Sequence, residues 1–188
     1  MKQFAIFLIL VPMTVFARFS AKEAFLSAPD AVVGYIDHTK RLDMIDYFEA
    51  GMKDHSVSNS REGQSSLSEL SDSTFVIKNG EVQTISARLL ASKSDTLIAV
   101  IETLATPTPD SRLYIYNKVW KPVKNTWSEP SMKDWGNPEA KFLLTEYNIS
   151  GDTLTLTDRT AEWMEPGAPV KRLRYVWNPK SKKFSRLK

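Results

Sequence analysis

The chain has 188 residues, 42% of them hydrophobic and 25% charged, ordinary globular values and enough to bury a core for one domain. A net charge of +3, spread over nearly matched acidic and basic residues, gives no reason to expect nucleic acid or an anionic membrane as partner. The absence of cysteine excludes disulfides, a thiolate nucleophile, a cysteine zinc site and the lipid attachment of a bacterial lipoprotein.

Residues 1–17 read as a secretory signal peptide. Lys2 supplies the positive start, and an apolar run of about 13 residues begins at Phe4. Val15 and Ala17 place small residues ahead of a cleavage site before Arg18. The run falls short of the roughly 20 residues that a spanning helix needs, and no later segment is apolar enough to span. The expectation is a periplasmic or secreted protein with no membrane span after cleavage, residues 18–188 forming a single domain.

Ser20-Ala21-Lys22-Glu23 fits the S-x-x-E capping box and predicts a short helix through about Ala28, broken by Pro29-Asp30. The longest helical pattern outside the leader is RLDMIDYFEAGM, residues 41–52. Leu42, Ile45, Phe48 and Met52 share one face of it, and Met44 widens that stripe. Asp37 or Thr39 can cap it. Ile45 and Phe48 are expected in the core, facing the strand at residues 96–104.

Residues 54–66 turn polar and read as a loop, with a short strand at 67–70. Residues 74–78 are rich in β-formers, and Asn79-Gly80 is the strongest hairpin signal, pairing them with residues 82–90. TLIAVIETL, residues 96–104, is almost continuously apolar and predicts a central strand buried on both faces. Residues 112–117 alternate. Residues 118–140 are irregular, with Trp120, Trp127 and Trp135 among prolines and glycine, and separate two half-sheets. Strands resume at 141–149, 153–159 and 170–177, and Phe184 opens a last short one. The fold class is α+β: two N-terminal helices packed on an antiparallel meander sheet of about eight or nine strands.

Ser27-Ala28-Pro29-Asp30, RLDMIDYFEA at 41–50, Pro107-Thr108-Pro109-Asp110-Ser111-Arg112 and Trp120-Lys121-Pro122 together resemble an uncharacterised secreted family of Bacteroidetes, a domain of unknown function. The resemblance covers most of the chain after the leader and is most specific at RLDMIDYFEA. It implies export to the periplasm or cell surface and carries no catalytic residues. This sequence departs from the family's pattern before Pro107, where Cys-Gly is frequent and Ala105-Thr106 stand here, so any role tied to that cysteine is absent. As an analogy of fold alone, helices on an antiparallel sheet also resemble small β-lactamase-inhibitor-like modules of the same bacteria.

Few residues suggest chemistry. Asp43, Asp46 and Glu49 lie close together on the main helix and would suit Ca²⁺, but with Lys40, Arg41 and Lys53 beside them they read as a solvated face. His38 and His55, about 17 residues apart across a helix, are too distant to share a metal. No metalloprotease, nucleophile-elbow, phosphate-loop or EF-hand motif occurs. Glu102, Asp110, Glu146 and Glu162 are candidates for paired-carboxylate hydrolysis. Asn148-Ile149-Ser150 fits a glycosylation acceptor but lies in a predicted strand and reads as structural. Trp127 and Trp135, flanked by polar residues, are the candidate partner-binding residues, with Trp120 nearer the sheet. The alternative is that these rings close the open end of the core. The functional expectation is a non-enzymatic module without metal or cofactor, binding a protein or glycan at the cell envelope; the alternative is a carboxylate-based hydrolase acting on glycans.

Overall fold

The structure, a computed structural model, describes residues 19–187 except 53, 54, 93, 94, 106, 137–139, 165, 166 and 168, and leaves out the Glu162 side chain. The signal peptide expectation lies outside the described residues.

The first helix, α1 (Ala21–Ser27), starts at the capping box the sequence spells. The Glu23 amide donates to Ser20 Oγ at 3.2 Å, and the Ser20 amide donates to a Glu23 carboxylate oxygen at 2.7 Å. The second, α2 (His38–Glu49), is capped by Asp37, whose carboxylate accepts from the Lys40 amide at 3.0 Å. It therefore begins and ends earlier than residues 41–52.

The buried face of α2 is also rotated from the expected one. Arg41, Met44 and Ile45 are buried and Phe48 is half-buried, whereas Leu42 and Met52 are 41% and 48% exposed. Arg41 is the cause. The last carbonyls of α1 have no helical partner. Arg41 Nη1 donates to the oxygens of Phe25, Leu26 and Ala28 at 2.9, 3.1 and 2.6 Å, and Nη2 to Asp30 Oδ1 at 2.7 Å. One side chain thus satisfies the end of α1 and locks α2 against it. Burial pulls the Arg41 pKa down, opposed by the charges of Asp30 and Asp37, but a guanidinium remains charged.

Six antiparallel strands follow in meander order: β1 (Ser56–Ser58), β2 (Gln64–Leu70), β3 (Thr74–Asn79), β4 (Gln83–Ala91), β5 (Thr96–Leu104) and β6 (Asp110–Asn117). A second meander contains β7 (Thr145–Ser150), β8 (Thr153–Asp158), β9 (Arg172–Asn178) and β10 (Lys183–Arg186). A one-turn helix, α3 (Thr160–Met164), follows β8 and was not expected. Ten strands are described rather than eight or nine, because β1 and the start of β2 occupy the polar stretch read as a loop. Only Val57, Ser65 and Leu67 of that hairpin point inward, too few apolar residues to show a period.

The layers stack as helices, six-stranded sheet and four-stranded sheet. α1 lies over β3 and β4, and α2 over β1 and β2 rather than over β5 as expected. Strand β5 is buried on both faces: Ile98 and Val100 join the helix-side core, while Leu97, Ala99 and Ile101 join the core shared with the second sheet. Trp177 Nε1 donates across the layers to the Ala91 carbonyl at 2.7 Å. Strands β6 and β7 lie side by side, but two β7 amides donate to side chains: Thr145 to Asp110 Oδ1 at 3.2 Å and Tyr147 to Ser111 Oγ at 3.1 Å.

Candidate functional site

The helices reach across β1 to β4 and stop, so the same face of β5 and β6 is left without a helical cover. A cleft of about 750 Å³ opens there. Its floor is Ile85, Val100 and the tyrosines Tyr114 and Tyr116; Val82 and Leu104 form one lip. The opposite wall is the chain entering α2, facing the tip of the β1–β2 hairpin.

That wall is set by an unusual turn. The Val32, Val33 and Tyr35 amides donate back to Pro29 and Asp30 carbonyls, closing one helical turn. Gly34 and Tyr35 then both take positive φ, 76° and 62°. Glycine does so without strain, but for a bulky residue it is rare. Tyr35 is held there from the hairpin tip. Its carbonyl accepts from both the amide and the hydroxyl of Ser60, at 3.1 and 2.7 Å, and the Arg61 guanidinium lies 3.9 Å over its ring. Gly34 lies so close to Asn79 that a Cβ would come within 2.1 Å of Asn79 Nδ2.

Beneath this wall a chain of polar side chains crosses the sheet. Asn59 Nδ2 donates to Ser65 Oγ at 3.0 Å, Ser65 Oγ to Asn79 Oδ1 at 2.7 Å, Asn79 Nδ2 to Gln83 Oε1 at 2.8 Å, and Gln83 Nε2 to Glu102 Oε1 at 2.5 Å. The ionised carboxylate can only accept, so it fixes the orientation of both Gln83 and Asn79. Each amide nitrogen carries two hydrogens and the chain uses one. Asn79 and Gln83 therefore each keep a donor, and Glu102 keeps an oxygen. Burial, then the neighbouring Tyr114 and Glu102, push the Tyr116 phenol up from its ordinary value, so it is a neutral hydroxyl at neutral pH. Arg61 and Glu102 are the charged residues among those described as lining the cleft.

The candidates read from the sequence lie elsewhere, with the exception of Glu102. Trp135, expected to reach outward, is only 4% exposed and belongs to the core between the sheets. Trp127 is half-buried, its ring edge-on or face-on to Tyr147, Tyr175 and Phe184 at 6.2, 5.1 and 6.0 Å. The expectation of outward exposure is corrected: the irregular segment folds across the mouth between the two sheets, and its rings fill space that would otherwise be wet. Trp120 packs on Tyr116 and donates to Ser27 Oγ at 3.3 Å. The exposed tryptophan among those described is Trp163 of α3, half exposed and edge-on to Phe142. Sequence reasoning passed over it because the helix carrying it has one turn and no cap signal.

Of the four candidate carboxylates, Asp110 stands one diagonal step from Glu102 across β5 and β6, and Glu146 lies on β7. Asp110 accepts from the Thr145 amide, Glu146 is paired with Arg159 at 2.6 Å, and the Glu162 side chain is outside the described residues. On α2, Glu49 pairs with Lys22 at 2.7 Å and Asp46 is exposed. Among the described residues no group of three or more His, Asp or Glu is placed to hold a metal ion. His38 opens α2 and is exposed; His55 lies beyond its far end, with Nδ1 3.0 Å from the Met52 carbonyl oxygen. Among the described residues no helix is long and apolar enough to cross a membrane.

The cleft was not foreseen. Asn79 drew notice only as a turn residue, Tyr114 and Tyr116 only as members of an alternating strand.

Two antiparallel sheets of six and four strands, with a pair of helices on one outer face, define an α+β domain. The same fold is seen in the solved structure of a domain of an uncharacterised protein from Porphyromonas gingivalis W83, a Bacteroidetes species. The two superpose with a TM-score of 0.69 at 23% identity, over 89% of this chain and 97% of that one. The chain belongs to the DUF3256 family, described as a protein of unknown function, whose profile matches residues 14–181. No curated protein matches it.

Proposed function

We propose that the protein is an exported, non-enzymatic binding module of the cell envelope, and that the cleft over β4 to β6 is where it holds its ligand. The observation that carries the reading is the cleft itself: about 750 Å³, within the usual size of a ligand site, with an apolar floor and a few fixed polar groups. The chain from Asn59 to Glu102 is oriented before any ligand arrives, which lowers the entropy lost on binding. Glu102 is the one carboxylate among the described lining residues; Asp110, its diagonal neighbour, is outside the lining and accepts from the Thr145 amide, which disfavours it as the second member of a glycoside-hydrolase pair. Export rests on the leader at residues 1–17.

A nuclear magnetic resonance screen of mixed small peptides, saccharides and nucleotides tests the site. Compounds that bind are expected to shift the side-chain amide signals of Asn79 and Gln83. Binding that shifts only other residues overturns the assignment. Release of reducing ends from envelope polysaccharides, abolished by Glu102→Gln, would establish the hydrolase instead. For export, the protein recovered from its host is expected to begin at Arg18 by mass spectrometry, and an N-terminus at Met1 refutes the leader.

A further inference from the structure

On the footing that the cleft is the binding site, we propose that its ligand is a neutral saccharide about two to three rings long. The first reason is what the cleft withholds. Strands β3, β4 and β5 are paired on both sides, so they offer no backbone edge. The outer edge of β6 is engaged as well: the Asn117 amide donates to the Lys121 carbonyl and the Val123 amide to the Ile115 carbonyl, and beyond them lies β7. An extended peptide gains most of its affinity by adding to such an edge. Along these strands a ligand finds no open ladder to join, and side chains do most of the reading.

The second reason is what those side chains present. A spare amide N–H on Gln83 sits beside the remaining oxygen of Glu102. A donor next to an acceptor matches a pair of neighbouring sugar hydroxyls, each of which gives and takes a hydrogen bond. Tyr114, 38% exposed and opposite Val100 on the floor, offers a flat ring to receive the C–H face of a pyranose. The third reason is charge. Arg61, already stacked on Tyr35, balances Glu102, so the cleft has no net charge to draw in a phosphate or an acidic polymer. The fourth is length. The lining runs from Asn59 and Gly63 at the β1–β2 tip to Glu102 on β5, about three strand spacings or roughly 14 Å, which suits a short oligosaccharide rather than one sugar.

The test is a titration of the protein with maltotriose, cellotriose, mannotriose, diacetylchitobiose and, as the peptide rival, trialanine, read on the Asn79 and Gln83 side-chain amides. At least one saccharide is expected to shift both signals. Glu102→Gln and Tyr114→Ala should each weaken that binding by about tenfold, as expected for loss of a charged hydrogen-bond partner or a stacking face, with thermal melts unchanged. Tyr114→Leu, which keeps apolar bulk but removes the flat ring, repeats the test should the alanine variant melt early. Shifts produced by trialanine and by no saccharide overturn the ligand class and leave the cleft as the site. Saccharide binding unaffected by the variants, or felt only elsewhere, overturns the saccharide geometry. No shift with any probe overturns both the ligand class and the reading of the cleft beneath it.

Discussion

Replacing Arg41 by methionine keeps most of the stem that packs under α1 and removes the guanidinium. Three carbonyl oxygens then lose that donor, and the one of Phe25 keeps only the Ala28 amide at 3.4 Å. Those of Phe25 and Ala28 are bonded in buried surroundings, at 2.9 and 2.6 Å, and water has little access to them; that of Leu26 is only partly buried. A buried acceptor left without a partner costs about 1–3 kcal/mol; that is the Ala28 oxygen, and the Phe25 oxygen, left with a long bond, adds less. Relief from burying a charge offsets part of this, and the net expectation is a loss of about 2 kcal/mol. Arg41→Lys should fall between, because one ammonium cannot reach all the oxygens that a planar fork reaches. Asp30→Asn should change little, at most about 1 kcal/mol, since that carboxylate is 55% exposed and its pairing is screened by water. Urea unfolding followed by far-ultraviolet circular dichroism measures all three. A slope of about 1–3 kcal/mol/M makes the Arg41→Met shift roughly 0.7–2 M. An Arg41→Met midpoint within error of the parent, or one matched by Asp30→Asn, would refute the account of α1 as a helix closed by a neighbour's side chain.

Three more outcomes follow from the packing. Trp135→Ala should lower stability by about 3–5 kcal/mol, as for any large buried ring. Trp127→Phe should be far milder, because the Trp127 indole N–H is buried with no partner among the described residues and its loss offsets lost contact; equal effects in chemical unfolding would show the rings misplaced. Gly34→Ala should lower stability by roughly 1–3 kcal/mol through its left-handed backbone alone, and the new methyl must also displace Asn79, so the Asn79 and Gln83 side-chain amide signals should move; unmoved signals would count against the wall described. In alkali the sign is set by Tyr147, whose phenol is pushed up from 10.0 to about 12, chiefly by burial. The unfolded chain ionises first, so stability holds below pH 10.0 and falls as pH rises through about 12; a phenolate titration in which Tyr147 ionises as a free tyrosine does, with no unfolding, would refute it.

The parts of the fold that were legible in the sequence are those whose physics is local. Ser20 and Glu23 satisfy one another within a turn, Asp37 serves the helix it precedes, and Asn79-Gly80 bends the chain where the sequence says it bends, though the register Asn79 with Gln83 makes the loop three residues rather than two. The continuous apolar run of β5 reports burial on both faces because both faces are buried. What escaped is what another segment decides. Arg41 has the pattern of a surface residue, and only the open end of α1 brings it inside. Tryptophans among prolines and serines look free until two sheets close around them. The cleft escaped because its defining property is where the helices end relative to β5 and β6, and no residue encodes that alone.

The joint between β6 and β7 has a consequence for how the molecule opens. Backbone ladders on either side of it are continuous, but the join itself runs through Asp110 and Ser111 side chains onto the Thr145 and Tyr147 amides. Side-chain bonds of this kind can be lost and remade without unravelling a ladder. The edge of β7 is therefore able to come loose locally, while the shared apolar core and the Trp177 bond to the Ala91 carbonyl keep the two sheets together. In native-state hydrogen exchange the Thr145 and Tyr147 amides should report that partial opening, exchanging ahead of the β5 amides, which wait for the whole domain to unfold. Because the cleft lies on the other face of β5 and β6, such loosening at the β7 edge leaves its shape unchanged.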